Sequence, residues 1–318
     1  MARFIEHRYL AAMEFGKLPS VEQVDFSFQD DPSENATVLQ TRAGITTTPR
    51  IYLGATGYNM KAWVGQWYPA GTKSKDYLVE YGRQFNTIEH NTTHYRIPDS
   101  ATVARWRDEV PTDFRYCPKI PQTISHARNL GLHGPEIQLF CEAIDGLDEK
   151  MGCCFMQLPP YFSVQDVPVL ARFLEQFPCD RTPLAVEVRH ESFFQKNTAA
   201  QDYFNLLADQ GVATVITDVA GRRDVCHMRL TTDKVLIRFV GNSLHPTDHL
   251  RVEAWAERLR DWFVSGLREV YFFCHEPDNL LAPDLTVFAA ATFQKAMPTA
   301  VLRGPEAYPP PPKQGTLF

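Results

Sequence analysis

The sequence lacks any run of about 18 uncharged apolar residues, so no membrane-spanning helix is expected. It also has no excess of positive charge, because 32 lysines and arginines stand against 38 acidic residues among 318, which gives a net charge of −6. That balance argues against a surface built for nonspecific binding to DNA or anionic membranes, since such binding needs clustered basic side chains. The charge count still allows a local basic cleft.

Cysteine is sparse and shows no pattern. The seven cysteines are an odd number, they are scattered, and none stands in a CxxC spacing. In a chain of this length, that distribution is typical of a reducing compartment rather than of a disulfide framework. The first ten residues mix charged and apolar side chains and lack the continuous apolar stretch of a signal peptide. We therefore expect a cytoplasmic protein.

Short apolar segments alternate with amphipathic segments from residue 51 onward. The apolar segments predict strands at residues 51–55, 86–90, 114–119, 153–158, 184–188, 212–217, 235–240 and 270–274. The amphipathic segments predict helices at residues 77–84, 100–109, 135–147, 167–177, 198–210, 247–266 and 284–296. Parallel strands need helical crossovers, and strands buried on both faces are continuously apolar. Eight strand–helix units of this kind predict a single TIM (β/α)8 barrel of the α/β class.

Two appendages flank the predicted barrel domain, which spans residues 51–297. Residues 1–50 are turn-rich and are interpreted as an N-terminal extension. Residues 298–318 form a Pro-rich tail, in which four consecutive prolines at 309–312 predict a stiff, extended spacer. The remaining segment is close to the length of about 250 residues that is typical of one barrel.

Polar side chains are concentrated where the predicted strands end, which is the functional face of a TIM barrel. In chain order they are Glu89, Asn91, His94 and Tyr95 after the second strand, Lys119 and His126 after the third, Gln157 at the fourth, Glu187, Arg189 and His190 at the fifth, Asp218 at the sixth, Arg238 in the seventh, and His275 and Glu276 at the eighth. Structure alone does not require so many strands to end in ionisable or amide groups, so the set predicts a binding or catalytic site.

Glu89 and Glu187 stand in otherwise apolar strands, and a buried carboxylate needs a cation, a metal or a proton. A purely structural ion pair would join Glu187 to Arg189 or Arg238, and Glu89 to Lys119. A divalent metal is the other open alternative, because carboxylates and the nearby histidines are acceptable ligands. The sequence has no HExxH, HxH or DxD spacing, so the metal and its ligands stay unknown.

An ordered series of motifs along residues 51–295 resembles the YecE-like family, also called domain of unknown function 72. The series begins with Gly54-Ala-Thr-Gly57-Tyr58 and Trp63-x-Gly65-x-x-Tyr68-Pro69, and continues with Phe85-Asn86-Thr-Ile-Glu89-x-Asn91-Thr-Thr-His94-Tyr95-Arg96. Its later members are Trp106, Lys119, Ile124-Ser-His126, Gln157-Leu-Pro-Pro160, Val186-Glu187-Val-Arg189-His190 and Ile237-Arg238-Phe239-x-Gly241.

The resemblance implies a TIM barrel with a polar cavity at the carboxyl ends of its strands and no established activity. The family has been likened to barrel nucleases of the endonuclease IV kind, which is a likeness of fold that does not transfer chemistry. The sequence departs from the family pattern at three places. Tyr58 replaces a frequent Trp, Val240 replaces a frequent His, and His275-Glu276 stands where many members carry an Asn pair.

The C-terminal peptide separately resembles the short peptides that bind the bacterial sliding clamp. The match consists of Gln314, Leu317 and Phe318, while Gly315 stands at a position that is usually apolar. A proline spacer would present such a docking peptide away from the barrel. A clamp partner would supply the DNA affinity that the net charge of −6 does not.

We expect a cavity that binds a phosphate-bearing small molecule or DNA, and the leading hypothesis is a hydrolase that cleaves a phosphodiester in DNA repair. In that hypothesis the catalytic residues are Glu89, Lys119, Glu187, His190 and Asp218. The substrate-binding residues are Asn91, His94, Tyr95, His126, Gln157, Arg189 and Arg238. A metal-independent lyase, isomerase or sugar hydrolase and a non-catalytic phosphate-binding module are the alternatives.

Overall fold

A parallel β-barrel forms the centre of the molecule. The computed structural model describes residues 15–40 and 48–308. Its barrel strands are β1 (Arg50–Ala55), β2 (Thr87–His90), β3 (Arg115–Pro118), β4 (Cys154–Gln157), β5 (Leu184–Glu187), β6 (Ala213–Asp218), β7 (Lys234–Val240) and β8 (Glu269–His275). They pair in parallel in the order β3-β2-β1-β8-β7-β6-β5-β4. Backbone hydrogen bonds from Gly152 to Tyr116 and from Ile120 to Phe155 join β3 to β4. The predicted TIM-type barrel is confirmed.

The helices surround the barrel. They are α1 (Glu34–Gln40), α2 (Tyr77–Gln84), α3 (Thr92–Tyr95), α4 (Ser100–Glu109), α5 (Gln122–Ser125), α6 (Glu136–Asp145), α7 (Val167–Gln176), α8 (Thr198–Asp209), α9 (Pro246–Ser265) and α10 (Ala282–Ala296). All seven predicted helices, six between the strands and one after the last strand, are present, and each begins and ends within two residues of its predicted bounds. None of the described helices is long and apolar enough to span a membrane.

The sixth strand–helix unit departs from the repeating pattern. Residues 219–233, all of which the structure describes, contain only a short 3₁₀ helix (Arg223–Val225) and no α-helix. Buried Met228 and Leu230 of this connection join a hydrophobic cluster that also contains Leu39 of α1. The Asn35 side chain donates to the Met228 carbonyl and accepts from the Leu230 N–H, both at 2.8 Å. Helix α1, which precedes the barrel in the chain, thus packs where a crossover helix is absent.

The side chain of Asn86 and a short C-terminal strand supply hydrogen-bond partners to the part of β1 that β2 does not pair with. Strand β9 (Val301–Arg303) pairs in parallel with Arg50–Tyr52 at the start of β1, while β2 pairs only with its end. Between these two partners, the Asn86 side chain accepts from Leu53 N at 2.7 Å and donates to Ile51 O at 3.3 Å. The clamp-binding peptide predicted at Gln314, Leu317 and Phe318 lies outside the described residues.

The core is apolar on both sides of the barrel wall. Ten side chains fill the barrel interior, among them Phe155, Ala185, Leu236 and Phe273. Two larger clusters pack the outer face of the strands against the helices. All seven cysteines lie in the described part of the chain and have unpaired thiols.

Candidate functional site

The two-residue period of the strands places the polar residues directly beyond the apolar side chains that fill the barrel interior. Successive side chains of a strand point to opposite faces, so a residue two positions after an interior residue points to the same side. Interior Phe155, Ala185, Leu236 and Phe273 are followed in this way by Gln157, Glu187, Arg238 and His275, and interior Cys117 is followed by Lys119. A polar layer therefore covers the interior cluster at the carboxyl ends of the strands.

Arg238 is the centre of this layer. Its Nε and Nη2 donate to the two carboxylate oxygens of Glu89 at 2.9 and 3.1 Å. Its Nη1 donates to both oxygens of Glu187, at 3.0 and 3.3 Å. One guanidinium thus bridges two carboxylates that lie on β2 and β5, and both carboxylates are almost completely buried.

Glu187 connects the bridge to two further cations. Arg189 Nε donates to Glu187 Oε1 at 2.9 Å, and Gln157 Nε2 donates to Glu187 Oε2 at 2.8 Å. The other end of the Gln157 amide accepts from Lys119 Nζ at 3.1 Å. Both Arg189 and Lys119 are buried, so each ion is held in a site with little water. The result is a continuous hydrogen-bonded network from β3 to β7.

Glu89 connects the bridge to β8. The carboxylate oxygen Oε1 accepts from Asn91 Nδ2 at 3.1 Å, and Oε2 lies 2.8 Å from His275 Nε2. The sequence offers His275 as a possible metal ligand at the end of the eighth strand, but it is not among the predicted catalytic or substrate-binding residues. Its two-residue spacing after Phe273, an interior residue, is the signal that would have included it.

The bridge holds both carboxylates in their ionised form. Burial by itself raises the pKa of a carboxyl group, but Arg238 outweighs it, so the pKa of Glu89 lies well below its usual value. The pKa of Glu187 falls to about 2 despite burial, because Arg238 and Arg189 both stabilise the carboxylate. Neither carboxylate is therefore free to act as a general base near neutral pH.

Burial lowers the pKa values of two basic groups in the network, Lys119 and His275. Burial lowers the pKa of Lys119 to about 8, and the neighbouring Arg238 adds to this effect. Burial also lowers the pKa of His275, although the Glu89 carboxylate opposes the change. With His275 neutral, the site contains two carboxylates and three cations, since Arg238, Arg189 and Lys119 face Glu89 and Glu187. The buried layer therefore has an excess of positive charge.

His94 lies beside Lys119. His94 Nδ1 is 2.9 Å from the Ile120 carbonyl oxygen, which can only accept, so Nδ1 carries the hydrogen. Burial, followed by the charge on Lys119, lowers the pKa of His94 to about 4. The His126 ring stands edge-on to the His94 ring with centroids 5.4 Å apart, and both His126 and Tyr95 are exposed at the rim. These three residues line the β2–β3 side of the opening at the carboxyl ends of the strands, which we call the mouth of the barrel.

Two of the residues expected to be catalytic lie outside the network. His190 Nδ1 contacts Ser192 Oγ at 2.9 Å and accepts from Ser192 N, so it caps the short 3₁₀ helix Glu191–Phe194. Asp218 points away from the barrel interior, as the strand period dictates, because interior Val215 precedes it by three residues. Its carboxylate pairs with Arg223 and Arg251 and accepts from Trp255 of α9.

The residues expected as metal ligands do not fit a metal centre. Within residues 15–40 and 48–308, no group of three or more His, Cys, Asp or Glu side chains converges on a common point. The lone pairs of Glu89 and Glu187 that a divalent cation would use face guanidinium donors instead. We therefore derive no step through a metal.

The N-terminal segment contributes to the mouth of the site. The centroid of the Phe15 ring lies 4.2 Å from the guanidinium carbon of Arg189 and 5.1 Å from that of Arg222. Gly221, just beyond β6, donates its N–H to the Gly16 carbonyl at 2.8 Å. No motif in the turn-rich N-terminal segment indicates this contact, which depends on a fold that brings residue 15 to the ends of β5 and β6.

Comparison with known proteins places these observations in a family. The family model described as "Protein of unknown function DUF72" matches residues 52–311. The UPF0759 protein YecE of Escherichia coli K12 is 32% identical over 286 residues, which cover 84% of this chain and 100% of that protein. A DUF72 family protein from Enterococcus faecalis V583, solved in two crystal structures, is 20% identical. It covers 79% and 82% of this chain and 98% of its own, with TM-scores of 0.59 and 0.61, which shows the shared fold.

Proposed function

This chain belongs to the DUF72 family, as its motifs predicted, and from that premise we propose that its strand-end site binds a phosphate-bearing small molecule and acts on it as a metal-independent enzyme. Lys119, Arg189 and Arg238 are the cations of this proposed site. The observation that carries the proposal is the unequal charge of the network, in which three buried cations share two buried carboxylates.

Lys119 is the cation that is available to a ligand. Arg238 donates hydrogen bonds to the carboxylates of Glu89 and Glu187, and Arg189 pairs with Glu187. The Lys119 ammonium instead donates to the neutral amide of Gln157, and in the described part of the chain this is its one hydrogen bond. A buried ammonium without an anionic partner is costly, and a phosphate oxygen would supply that partner.

The same network favours chemistry without a metal over the metal-dependent phosphodiester hydrolysis that the sequence suggested. That hydrolysis would use Glu89 and Glu187 as metal ligands or as the general base. Each carboxylate is held by Arg238 through two hydrogen bonds, so recruiting either one to a metal would break two of the four hydrogen bonds of a buried guanidinium. A lyase or isomerase needs only charge stabilisation and a proton acceptor, and both are compatible with this geometry.

The overall charge favours a small molecule over DNA. With a net charge of −6, the chain lacks the basic excess that gives nonspecific affinity for a duplex. The three cations lie in one small buried layer at the strand ends. We therefore propose a compact ligand whose phosphate reaches Lys119 from the mouth of the barrel.

Calorimetric titration with inorganic phosphate and with glycerol 3-phosphate tests the proposal. We expect the Lys119→Met variant to bind each about 10- to 100-fold more weakly than the wild type, because a charge-assisted hydrogen bond contributes about 1.5–3 kcal/mol. Lys119→Arg should recover part of the loss, since it restores the charge. The proposal fails if the wild type binds neither compound at millimolar concentration, or if Lys119→Met binds both unchanged.

Lys234→Met is the matched control. Lys234 lies at the opposite end of β7 from Arg238 and pairs with Glu269 at 2.9 Å, so its removal changes the same formal charge far from the mouth. We expect phosphate affinity to stay within about twofold of the wild type. A duplex containing an abasic site is titrated in parallel, and tighter, Lys119-dependent binding to it than to the small phosphates would assign the site to DNA instead.

A further inference from the structure

The imidazole of His275 is held in one tautomer by the buried network. An ionised carboxylate can only accept a hydrogen bond, and Glu89 is ionised, so the 2.8 Å contact from its Oε2 requires the hydrogen to be on His275 Nε2. Glu89 is itself fixed by Arg238 on both oxygens and by Asn91 on one. The carboxylate therefore cannot rotate away, and the histidine ring keeps its orientation.

The second ring nitrogen of His275 is free. Within the residues that the structure describes, Nδ1 makes no hydrogen bond, whereas Nε2 is fully engaged. The His275 side chain is 17% exposed and that of Glu89 is 1% exposed. Of this pair, the histidine is the member that a ligand entering the mouth can contact.

The charged groups around His275 favour the neutral ring. Burial is the largest effect and lowers the pKa of His275, and the positive charge of Arg238 lowers it further. The carboxylates of Glu89 and Glu187 oppose this decrease without reversing it. A neutral ring with hydrogen on Nε2 has a lone pair on Nδ1, which is the form required of a proton acceptor.

We propose that His275 is the proton acceptor of the strand-end site and that Glu89 is its positioning residue. The inference rests on the proposed function and narrows the substrate class to a phosphate-bearing molecule with an acidic hydroxyl group. A continuous chain of contacts runs from Lys119 through Gln157, Glu187, Arg238 and Glu89 to His275, so the proposed phosphate-binding lysine and the proposed proton acceptor belong to one network.

The proton transfer balances within the site. The O–H bond of the ligand hydroxyl breaks, its proton moves to His275 Nδ1, and the electron pair stays on the ligand oxygen. The imidazolium that forms donates through Nε2 to the Glu89 carboxylate, which stabilises it in the way that a buried carboxylate supports a catalytic histidine. General-base assistance of this kind typically accelerates a reaction by about 10²- to 10⁴-fold.

Two measurements on the full-length protein test the assignment without a known substrate. Nitrogen-15 NMR of the imidazole groups, assigned with the His275→Gln variant, should show at about pH 7 a neutral His275 with hydrogen on Nε2 and an unprotonated Nδ1. Diethyl pyrocarbonate acylates accessible, unprotonated imidazole, so mass spectrometry should detect modification of His275. Exposed His133 provides the positive control, and fully buried His90 should stay unmodified.

The Glu89→Gln variant separates positioning from simple exposure. Its amide can rotate to accept or to donate, so we expect a mixture of His275 tautomers, while Asn91→Ala, which leaves the carboxylate in place, should keep the wild-type tautomer. The assignment is overturned if His275 is doubly protonated at about pH 7, if Nδ1 carries the hydrogen, or if the ring resists acylation like His90. These outcomes do not depend on phosphate binding, so they can fail while the Lys119 test succeeds, and the reverse also holds.

Discussion

Removing the bridging guanidinium should destabilise the protein in a pH-dependent way. In the Arg238→Met variant, four hydrogen bonds to Glu89 and Glu187 are lost, while both carboxylates stay in the barrel with their side chains 1% and 2% exposed. Removing one partner of a buried ion pair costs about 3–5 kcal/mol, because the remaining charge is left uncompensated. We expect a decrease of that size in the free energy of unfolding at about pH 7.

The pKa of Glu187 gives an independent figure for the same effect. It lies near 2 in the folded protein against a usual value of 4.5, which corresponds to about 3 kcal/mol of stabilisation by all the groups around the carboxylate. A depressed carboxyl pKa stabilises the fold above about pH 4.5, and this contribution is lost as the pH falls towards 2. In the variant, burial without Arg238 raises the carboxyl pKa values, so its folded state gains protons on acidification. The difference between variant and wild type should therefore shrink between about pH 7 and pH 4.

Guanidinium chloride denaturation, followed by tryptophan fluorescence at both pH values, measures the difference. Arg105→Met is the matched control, because Arg105 is exposed and its Nε lies as far as 4.0 Å from Glu109 in a weak surface ion pair. Its loss should change the free energy of unfolding by less than about 0.5 kcal/mol. Replacing Glu89 by Gln in the Arg238→Met background should recover part of the loss, since it removes an uncompensated buried carboxylate, whereas Glu187 keeps its ion pair with Arg189. A loss below about 1 kcal/mol at pH 7, or an equal loss at both pH values, would refute this account of the bridge.

Two further predictions concern the segments that flank the barrel. Asn35→Ala should lower the free energy of unfolding by about 2–3 kcal/mol, because it leaves the Met228 carbonyl and the Leu230 N–H without their partner. Asn205 is exposed, so Asn205→Ala is the control in the same denaturation assay, and equal stability of the two variants would contradict docking of α1 through Asn35. Deletion of residues 313–318 should abolish binding to a bacterial sliding clamp in surface plasmon resonance, and absence of binding by the intact protein would disprove the docking peptide.

Most of the fold could be predicted from the alternation of apolar strand segments and amphipathic helix segments along the sequence. Continuous apolar segments such as 235–240 and 270–274 correspond to β7 and β8, because strands buried on both faces of a barrel leave no polar face in the sequence. The sequence predicts no helix between the sixth and seventh strands, and residues 219–233 contain no α-helix, but the sequence does not indicate what packs in place of this crossover helix. Its place is taken by α1, which precedes β1 in the chain, and no local pattern indicates a contact of such long range.

The candidate site was predicted as a set of residues rather than as an arrangement. Glu89 and Glu187 are candidate site residues because a carboxylate in an apolar strand needs a partner. The sequence does not indicate which cation or metal is that partner. The two-residue period separates inward from outward side chains, so it could have assigned Asp218 to the outer face of the barrel and His275 to the inner face. Strand-end position alone was too coarse a criterion.

The amino-acid sequence by itself determined the barrel, the family and the end of the barrel at which polar residues gather, because these follow from local periodicity and ordered motifs. Only the tertiary structure decided that Arg238 joins Glu89 to Glu187 and that Lys119 is left with an amide as its partner. The physical reason is that barrel closure sets which strand ends face one another. An ion pair across 149 positions of sequence has no local signature.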